Sequence, residues 1–206
     1  MRIVAISDTH GLHDRLDIPD GDVLVHAGDF SNLGKRVEVE AFSRFLGTQP
    51  HRHKVVIPGN HDLTFESHPE QARAWLRGCT LLQDSAVTIE GVRLWGSPWQ
   101  PWFLDWAFNL RSAEALREKW LLIPPDTDVL VTHGPPRGIL DRTVSGDDAG
   151  CAELRARVEV VAPKVHIFGH IHEGAGEVEL GGVRYVNACS TDVRCWAVNQ
   201  PIVIDL

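Results

Sequence analysis

The chain has 206 residues, of which 43% are hydrophobic and 23% are charged, as is usual for a soluble globular protein. This length fits a single domain over residues 1–206, large enough to bury a core without disulfides. The net charge of −8 argues against a protein that coats long nucleic acids, because phosphate binding usually leaves a basic footprint. It does not exclude a nucleotide substrate, because bound metal ions can supply positive charge locally.

Short apolar runs rich in β-branched residues predict the buried strands of a sheet. In chain order they cover residues 3–6, 22–27, 55–58, 81–82, 87–89, 92–95, 129–131, 165–168, 178–180, 183–186 and 202–204. Apolar residues at helical spacing or helix-cap signals predict helices over residues 38–46, 68–77, 112–120 and 149–161. Glu90-Gly91 predicts a hairpin turn. The order of these elements predicts a sheet that is parallel in its centre and mixed at its margin.

Targeting and redox features of the sequence predict a cytoplasmic protein. Met1-Arg2 leads directly into a five-residue strand that is too short for the hydrophobic region of a secretory signal. No stretch approaches the roughly 18 apolar residues of a membrane span. The cysteines lack CxxC spacing, which is typical of reduced thiols in the cytosol. They are Cys79, Cys151, Cys189 and Cys195.

Five of the predicted strands are followed directly by residues that bind metals well. The motifs are Asp8-Thr9-His10, Gly28-Asp29, Gly59-Asn60-His61-Asp62, Thr132-His133-Gly134 and Gly169-His170-Ile171-His172. In α/β folds, ligands bind at the carboxyl ends of the strands. It is improbable that unrelated loop polar groups would fall at five strand ends independently. The sequence therefore predicts one polar site at the rim of the sheet.

These motifs supply four His, two Asp and one Asn as candidate ligands: Asp8, His10, Asp29, Asn60, His133, His170 and His172. A mixed nitrogen and oxygen set without sulfur suits Mn, Fe, Zn or Ni, and argues against Ca or a structural Zn site. Seven ligands are too many for one ion, so we expect two ions that share Asp29. Paired ions about 3.5–4 Å apart clamp the attacking and leaving oxygens of a phosphoryl displacement. A bridging hydroxide would be the nucleophile.

The stretch Ser97–Phe108 contains three of the seven Trp residues and two Pro, and it fits no period. One interpretation is a surface loop packed over the sheet, since each buried Trp N–H needs a partner. The other is a wall or lid of the site that stacks on a base or sugar. The two interpretations are compatible, and the same loop is a candidate for subunit contact, which leaves the oligomeric state open.

The ordered motifs resemble those of the calcineurin-like metallophosphoesterase superfamily. A closer resemblance, covering nearly the whole chain, is to the metallophosphoesterase-domain-containing, brain-type metallophosphodiesterases. It is carried by residues 97–103, 108–110, 133–136 and 172–174, in addition to the motifs. The fold expected with this resemblance is α/β: a four-layer metallophosphoesterase sandwich of two mixed β-sheets flanked by helices, with the metals at the sheet edge.

The resemblance also implies a role for each candidate residue. One metal would be held by Asp8, His10, Asp29 and His172, and the other by Asp29, Asn60, His133 and His170. His61 would not be a ligand but would stabilise the transition state or protonate the leaving oxygen, which suits a group that titrates near neutral pH. Asp62 would orient the His61 imidazole by accepting a hydrogen bond from its ring N–H. Alternatively, Asp62 would cap a helix starting near Leu63.

The expected activity is hydrolysis of small phosphodiesters, such as cyclic nucleotides, by two divalent ions, with Mn preferred and Fe, Ni, Zn or Mg as alternatives. A phosphomonoesterase with the same site and a non-catalytic nucleotide-binding scaffold remain alternatives, although every ligand is retained. We expect no membrane and no long nucleic acid as partner, because no basic groove is apparent. The remaining histidines are expected on the surface or in the core: His13, His26, His51, His53, His68 and His166.

Overall fold

The computed structural model describes residues 1–194, 196 and 199–206. Its strands are β1 (Arg2–Ile6), β2 (Val23–His26), β3 (His53–Val56), β4 (Thr80–Leu81), β5 (Ser85–Ile89), β6 (Val92–Ser97), β7 (Gln100–Pro101), β8 (Asn109–Leu110), β9 (Val129–Thr132), β10 (Val165–Phe168), β11 (Gly176–Leu180), β12 (Val183–Asn187) and β13 (Ile202–Asp205). Its α-helices are α1 (Arg36–Thr48), α2 (Thr64–Ser67), α3 (Pro69–Trp75), α4 (Ala113–Leu121) and α5 (Ala152–Val161). Short 3-10 helices cover His13–Arg15 and His172–Gly174.

The strands form two large mixed sheets. The first has the order β13-β1-β2-β3-β4, with β1 to β4 parallel and β13 antiparallel to β1. The second has the order β11-β12-β10-β9-β6-β5, parallel in its centre and antiparallel at both edges. A separate two-stranded ribbon joins β7 and β8. The predicted fold class, with two mixed sheets flanked by helices, is confirmed.

Three apolar cores separate four layers of structure. Neighbouring residues of β1 point to opposite faces, as the pleat of a strand requires. Ile3 lies in the core between the two sheets, whereas Val4 lies in the core beneath α1 and α3. The outer face of the second sheet packs on α4 and α5, for example through Trp120 and Val158. The resulting order is helix, sheet, sheet, helix.

Local signals predict the positions of the helices better than their ends. Ser112, the first residue of the predicted helix 112–120, accepts a hydrogen bond from the Ala115 amide and caps α4. α5 begins three residues later than predicted, because Ala149 and Cys151 bond to the backbone of preceding loops instead. α3 ends at Trp75, and α2 lies where a helix starting near Leu63 was raised as an alternative. Within the described residues, no helix is long and apolar enough to cross a membrane.

Candidate metal centre

The five polar motifs follow the parallel strands β1, β2, β3, β9 and β10, and their side chains meet at one edge. Among the residues that the structure describes, three groups of three offer ligand atoms that lie within 4.8 Å of one another. They are Asp8, His10 and His172; His10, Asp29 and His61; and Asp8, Asp29 and His133. The groups overlap, so the structure brings motifs from both sheets into a single cluster.

Asp29 lies at the centre of the cluster. Its Oδ2 is 3.4 Å from His133 Nε2 and 3.9 Å from His10 Nε2. Its Oδ1 accepts a hydrogen bond from the His61 amide at 2.8 Å. One carboxylate oxygen is thus within 4 Å of a histidine that follows a strand of the first sheet and of a histidine that follows a strand of the second, as a bridging ligand requires.

Asp8 has one oxygen held by the protein and one left free. Its Oδ2 accepts hydrogen bonds from Ser7 Oγ at 2.5 Å, the His170 amide at 2.9 Å and Cys189 Sγ at 3.1 Å. Its Oδ1 is buried, has no hydrogen-bond partner among the described residues and lies 3.6 Å from His172 Nε2. A buried carboxylate oxygen without a donor is costly unless a cation is bound beside it.

Three histidines of the site are held in the same way through Nδ1. In His133, His172 and His61 this nitrogen lies 2.9, 2.9 and 3.0 Å from a backbone carbonyl oxygen, that of Ala27, Asp192 and Asn32 respectively. Because a carbonyl can only accept, Nδ1 carries a proton, and Nε2 is the nitrogen left to bind a cation or a second proton. This arrangement is typical of metal-binding histidines. His133 Nε2 lies 2.9 Å from Asn60 Oδ1.

The backbone at the strand ends is strained. Asp8, His10, Asp29 and His170 have φ of 52°, 44°, 56° and 68°, a region that costs a non-glycine residue about 1–3 kcal/mol. The loops also approach closely, since a Cβ on Gly59 would lie 2.7 Å from His133 Cε1. Strain of this kind persists where surrounding contacts impose it, and it clusters at functional sites.

The residues present fit the pair of divalent cations that the ligand pattern implies. Both ring nitrogens of buried His10 lack a partner within the described structure, as does Asp8 Oδ1. The spacing of the three groups does not distinguish His61 from the ligands, because His61 belongs to one of them. His170 lies beside His133, with ring centroids 5.1 Å apart, but belongs to none of the groups. The assignment of both residues stays a prediction.

The electrostatics favour ionised carboxylates. Burial opposes ionisation of Asp29 and Asp8, but the neighbouring imidazoles, chiefly His133, hold the pKa of each below its ordinary value. Burial lowers the pKa of His10, and burial together with His133 lowers that of His170 to about 4. Both rings are therefore neutral at pH 7, as metal ligands must be. Burial opposes the charged form of His133, yet Asp29 raises its pKa to about 9, so a cation beside Asp29 would replace that proton.

The predicted contact between Asp62 and the His61 imidazole is absent, and that prediction was wrong. Asp62 Oδ2 accepts from the amides of Asp29 and Gly59 at 3.0 and 2.8 Å. Its Oδ1 accepts from the amide and hydroxyl of Ser31 at 3.1 and 2.6 Å. In this tight turn successive side chains project in different directions, so His61 faces the cluster while Asp62 faces the backbone behind it. The side chain of Asp62 does not cap α2 either.

Asp62 therefore acts on backbone geometry. Burial and the Asp29 carboxylate raise the pKa of Asp62 to about 8, while the donors from Ser31 and Gly59 favour the charged form. All four contacts are donors to the carboxylate, so the ionised form is the one that satisfies them. The side chain ties the loop after β2 to the loop after β3.

The aromatic loop, residues 97–110, both packs on the fold and lines the cluster. Trp99 Nε1 donates to Asp84 at 3.0 Å, which anchors the start of the loop. Further along, the Trp106 ring lies 4.0 Å from the His61 ring, centroid to centroid. The Phe103 and His170 rings are nearly perpendicular, with centroids 5.9 Å apart. The two interpretations of this stretch thus describe different parts of the same loop.

The profile of the family described as calcineurin-like phosphoesterase matches residues 1–174, which include all five motifs. The chain belongs to the calcineurin-like phosphoesterase family. It is a metallophosphoesterase and thus a hydrolase, in agreement with the resemblance that its motifs carry. Its membership of the family follows from this match, and the curated relatives agree with it.

Curated relatives place this phosphoesterase in the metallophosphoesterase domain-containing subfamily. Metallophosphoesterase domain-containing protein 1 of Homo sapiens is 46% identical over 230 residues, covering 100% of this chain and 71% of the relative. UPF0046 protein K07C11.7 of Caenorhabditis elegans is 39% identical over 218 residues, covering 98% of this chain and 74% of the relative. Such identity over the full chain supports the subfamily as well as the family.

Solved structures share the fold. One aligns with a TM-score of 0.69 at 18% identity, covering 90% of this chain and 89% of that structure. TT1561 of Thermus thermophilus aligns with a TM-score of 0.57 at 16% identity, covering 90% of this chain and 88% of that structure. At these identities the likeness concerns the sandwich architecture of the phosphoesterase alone.

Two buried histidines that the sequence interpretation left as ordinary surface or core residues support the phosphoesterase site from behind. His26 Nδ1 accepts from the Gly28 amide at 3.3 Å, so its Nε2–H donates to Thr9 Oγ1 at 3.0 Å. His166 Nε2 lies 2.8 Å from Thr132 Oγ1. Each contacted Thr directly neighbours a candidate ligand. In each case the sequence shows a His and a Thr close to the motifs, which could have indicated a supporting pair. Which His meets which Thr depends, however, on strand register.

Proposed function

We propose that this phosphoesterase is a binuclear, metal-dependent phosphodiesterase that hydrolyses small phosphodiesters, cyclic nucleotides among them. The observation that carries the proposal is the position of Asp29, which has His10 Nε2 and His133 Nε2 within 4 Å of one of its oxygens, at 3.9 and 3.4 Å. In this proposal one cation is held by Asp8, His10, Asp29 and His172. The other is held by Asp29, Asn60, His133 and His170. Manganese suits this nitrogen and oxygen set.

When bound, the two cations supply positive charge to the phosphate and lower the pKa of the attacking water. The protein supplies the rest of the chemistry. His61 has its Nδ1 proton engaged by the Asn32 carbonyl, so its Nε2 is the nitrogen that meets the substrate. From this position it stabilises charge on the phosphate or protonates the leaving oxygen. Asp62 contributes by fixing the backbone of Asp29 and Gly59.

The preference for a diester over a monoester is supported by the wall of the site. Trp106 and Phe103 present aromatic surface beside His61 and His170. A diester has an organic group on both sides of phosphorus, and such a wall can pack against the second group. The bases or sugars of nucleotides stack on aromatic side chains in this way. A monoester lacks this second group.

The deciding experiment is turnover by protein stripped of metal and reloaded with Mn, Fe, Ni, Zn or Mg. Bis-(p-nitrophenyl) phosphate and p-nitrophenyl phosphate serve as matched diester and monoester substrates, followed by 2′,3′- and 3′,5′-cyclic nucleotides. Metal-dependent cleavage that favours the diester is the expected result. A preference for the monoester would move the protein to the phosphomonoesterases. Two bound ions without turnover on any substrate would make the site a nucleotide-binding scaffold.

The variant His61→Ala tests whether His61 acts as a general acid and not as a metal ligand. We expect the variant to bind two ions per chain but to lose about 10²–10⁴-fold in kcat, the usual contribution of general acid catalysis. His68→Ala, at an exposed histidine, is the matched control and keeps both properties. Loss of one ion from His61→Ala, measured by elemental analysis, would show that His61 is a ligand. The structure allows this result, because His61 forms one of the three ligand groups with His10 and Asp29.

We further propose that residues 1–206 act as one domain, supported by the core that the two sheets share. We also propose a cytoplasmic location, supported by the free thiols of Cys79, Cys151 and Cys189. Cys195 lies outside the described residues. Alkylation of the three described thiols in cells that are lysed directly into denaturant, which exposes the buried Cys151 and Cys189, tests the second point.

A further inference from the structure

His61 is held by three contacts of different kinds. Its Nδ1 donates to the Asn32 carbonyl at 3.0 Å. The His10 ring meets it edge to face, with centroids 4.8 Å apart and planes at 85°. Its face lies on the indole of Trp106, with centroids 4.0 Å apart and planes at 30°. The hydrogen bond alone leaves the imidazole free to pivot about Nδ1, and the indole face removes that freedom.

Trp106 is in turn fixed to the segment that carries His61. The next residue, Ala107, donates its amide to the Asn60 carbonyl at 3.1 Å. The Phe108 amide donates to Glu66 Oε2 at 2.8 Å. The Trp106 carbonyl accepts from Asn109 Nδ2 at 2.9 Å. The position of the indole is therefore fixed relative to the backbone of Asn60 as well as to its own loop.

We propose that Trp106 is a positioning residue for His61, which holds the imidazole so that Nε2 points at the phosphate. The inference rests on the proposed role of His61 in phosphodiester hydrolysis and extends it to the aromatic loop. Trp106 does not itself contact the reacting atoms. A side chain that fixes an acid in its productive orientation matters because catalysis depends steeply on such geometry.

The first test is Trp106→Leu in the metal-loaded enzyme. We expect kcat on bis-(p-nitrophenyl) phosphate to fall about 10-fold while bound metal stays at the parental stoichiometry, since misplacement of a reacting group is costly. Trp106→Phe keeps an aromatic face and recovers most of the rate. Trp102→Leu is the matched control, because Trp102 is 46% exposed on the same loop and packs under Arg111. This control keeps the parental kcat.

A double-mutant cycle separates action through His61 from a general effect of the loop. In the His61→Ala background, Trp106→Leu should cause no further fall in kcat, because its route of action on kcat runs through His61; any loss of packing on the substrate would change KM instead. An equal 10-fold loss in that background would overturn the positioning role. A parental kcat for Trp106→Leu beside a slow His61→Ala would also overturn it, while leaving the proposed function intact. A parental rate for His61→Ala would instead contradict the proposed function.

Nuclear magnetic resonance of the histidine rings gives a reading that does not depend on turnover. The His61 ring proton resonances, identified by their loss in His61→Ala, should lie in the shielding zone of the indole. We expect them to move in Trp106→Leu and to stay in place in Trp102→Leu. Unmoved resonances in Trp106→Leu would show that the two rings are not stacked in solution and would overturn the inference.

Discussion

The strand-end loops and the aromatic loop, residues 97–110, are built on different principles. In the strand-end loops each important carboxylate is held by several elements, as in the four donors to Asp62 and the three donors to Asp8 Oδ2. In the aromatic loop one side chain, Asn109, makes five hydrogen bonds to the loop around it. Phe103 and Leu104 remain about half exposed there, at 51% and 55%.

This difference suits the strand-end loops to the chemical step and the aromatic loop to the choice of substrate. Four of the seven candidate ligands, Asp8, His10, Asp29 and His170, lie on strained backbone, and the carboxylates are held from several sides, so their geometry cannot change without loss of the site. The aromatic loop can change its exposed residues with little effect on the cluster, because it reaches the cluster mainly through Trp106 and Phe103. Sites placed on rigid elements with adaptable loops beside them are a common solution in enzymes.

Asp62→Asn should have the largest effect in this comparison, since it breaks the link between two strand-end loops. Whichever way the new amide turns, its NH2 group faces two buried donors that the carboxylate accepted. Unpaired buried donors cost about 1–3 kcal/mol, so we expect a loss of about 2–4 kcal/mol in the free energy of unfolding. Metal affinity should fall about 10–100-fold, as for other groups that support ligands.

Urea unfolding and metal titration of Asp62→Asn measure these two effects. Asp17→Asn, at an exposed position, is the control and should match the parent in both. Unchanged stability in Asp62→Asn would mean that the loops after β2 and β3 are held by other contacts, and the rigid half of the comparison would lose its main support.

The second prediction concerns acid. Burial lowers the pKa of His26 and of His166 to about 3, below the 6.5 of an exposed histidine. Between pH 6.5 and 3 the unfolded chain binds protons that the folded chain does not, so stability falls as pH falls through this window. Each histidine contributes up to about 1.4 kcal/mol per pH unit.

His166→Gln isolates one of these contributions, because the amide nitrogen can still donate to Thr132. We expect the slope of unfolding free energy against pH, measured on metal-free protein, to become shallower between pH 6 and 4. The exposed His68→Gln is the control and should leave the slope unchanged. An unchanged slope in His166→Gln would show that this histidine takes up a proton in the folded state.

The sequence predicts the rigid half of this comparison well. An apolar run followed by Asp8, Asp29 or His133 can be recognised from neighbouring residues alone. The carboxyl ends of parallel strands meet at one edge of the sheet, so the cluster follows from the fold. The orientation of Asp62 was not predictable, because neighbouring residues of a turn differ in direction by torsion angles that the sequence does not display. The His26–Thr9 pair likewise depends on the register between β1 and β2.

The aromatic loop was harder to predict. Its composition indicated a wall, but the organising residue is Asn109, a single polar side chain with no periodic signal around it. Such hubs depend on several backbone groups converging in space, which no spacing rule describes. The loop also has positive φ at Leu104 and Phe108, of 53° and 57°, at residues that do not usually favour that region.

Asn109→Ala should have the smallest effect and test the adaptable half. Removing this side chain should loosen residues 100–109 and raise KM for a diester a few-fold. The number of bound ions should stay the same, and the free energy of unfolding should change by less than about 1.5 kcal/mol. Hydrogen exchange of the loop amides measures the loosening. Gln49→Ala, at a polar residue on the far end of α1, is the control. Loss of metal from Asn109→Ala would mean that the two regions are not separable.

Anomalous diffraction from crystals loaded with Mn tests the binuclear site most directly. A site bridged by Asp29 should give two peaks per chain, both within bonding distance of Asp29, one beside His10 and one beside His133. Crystals of Asp29→Asn, grown and loaded in the same way, should lose at least one of them together with activity. A single peak in the parent, or two peaks of which neither contacts Asp29, would contradict the binuclear site.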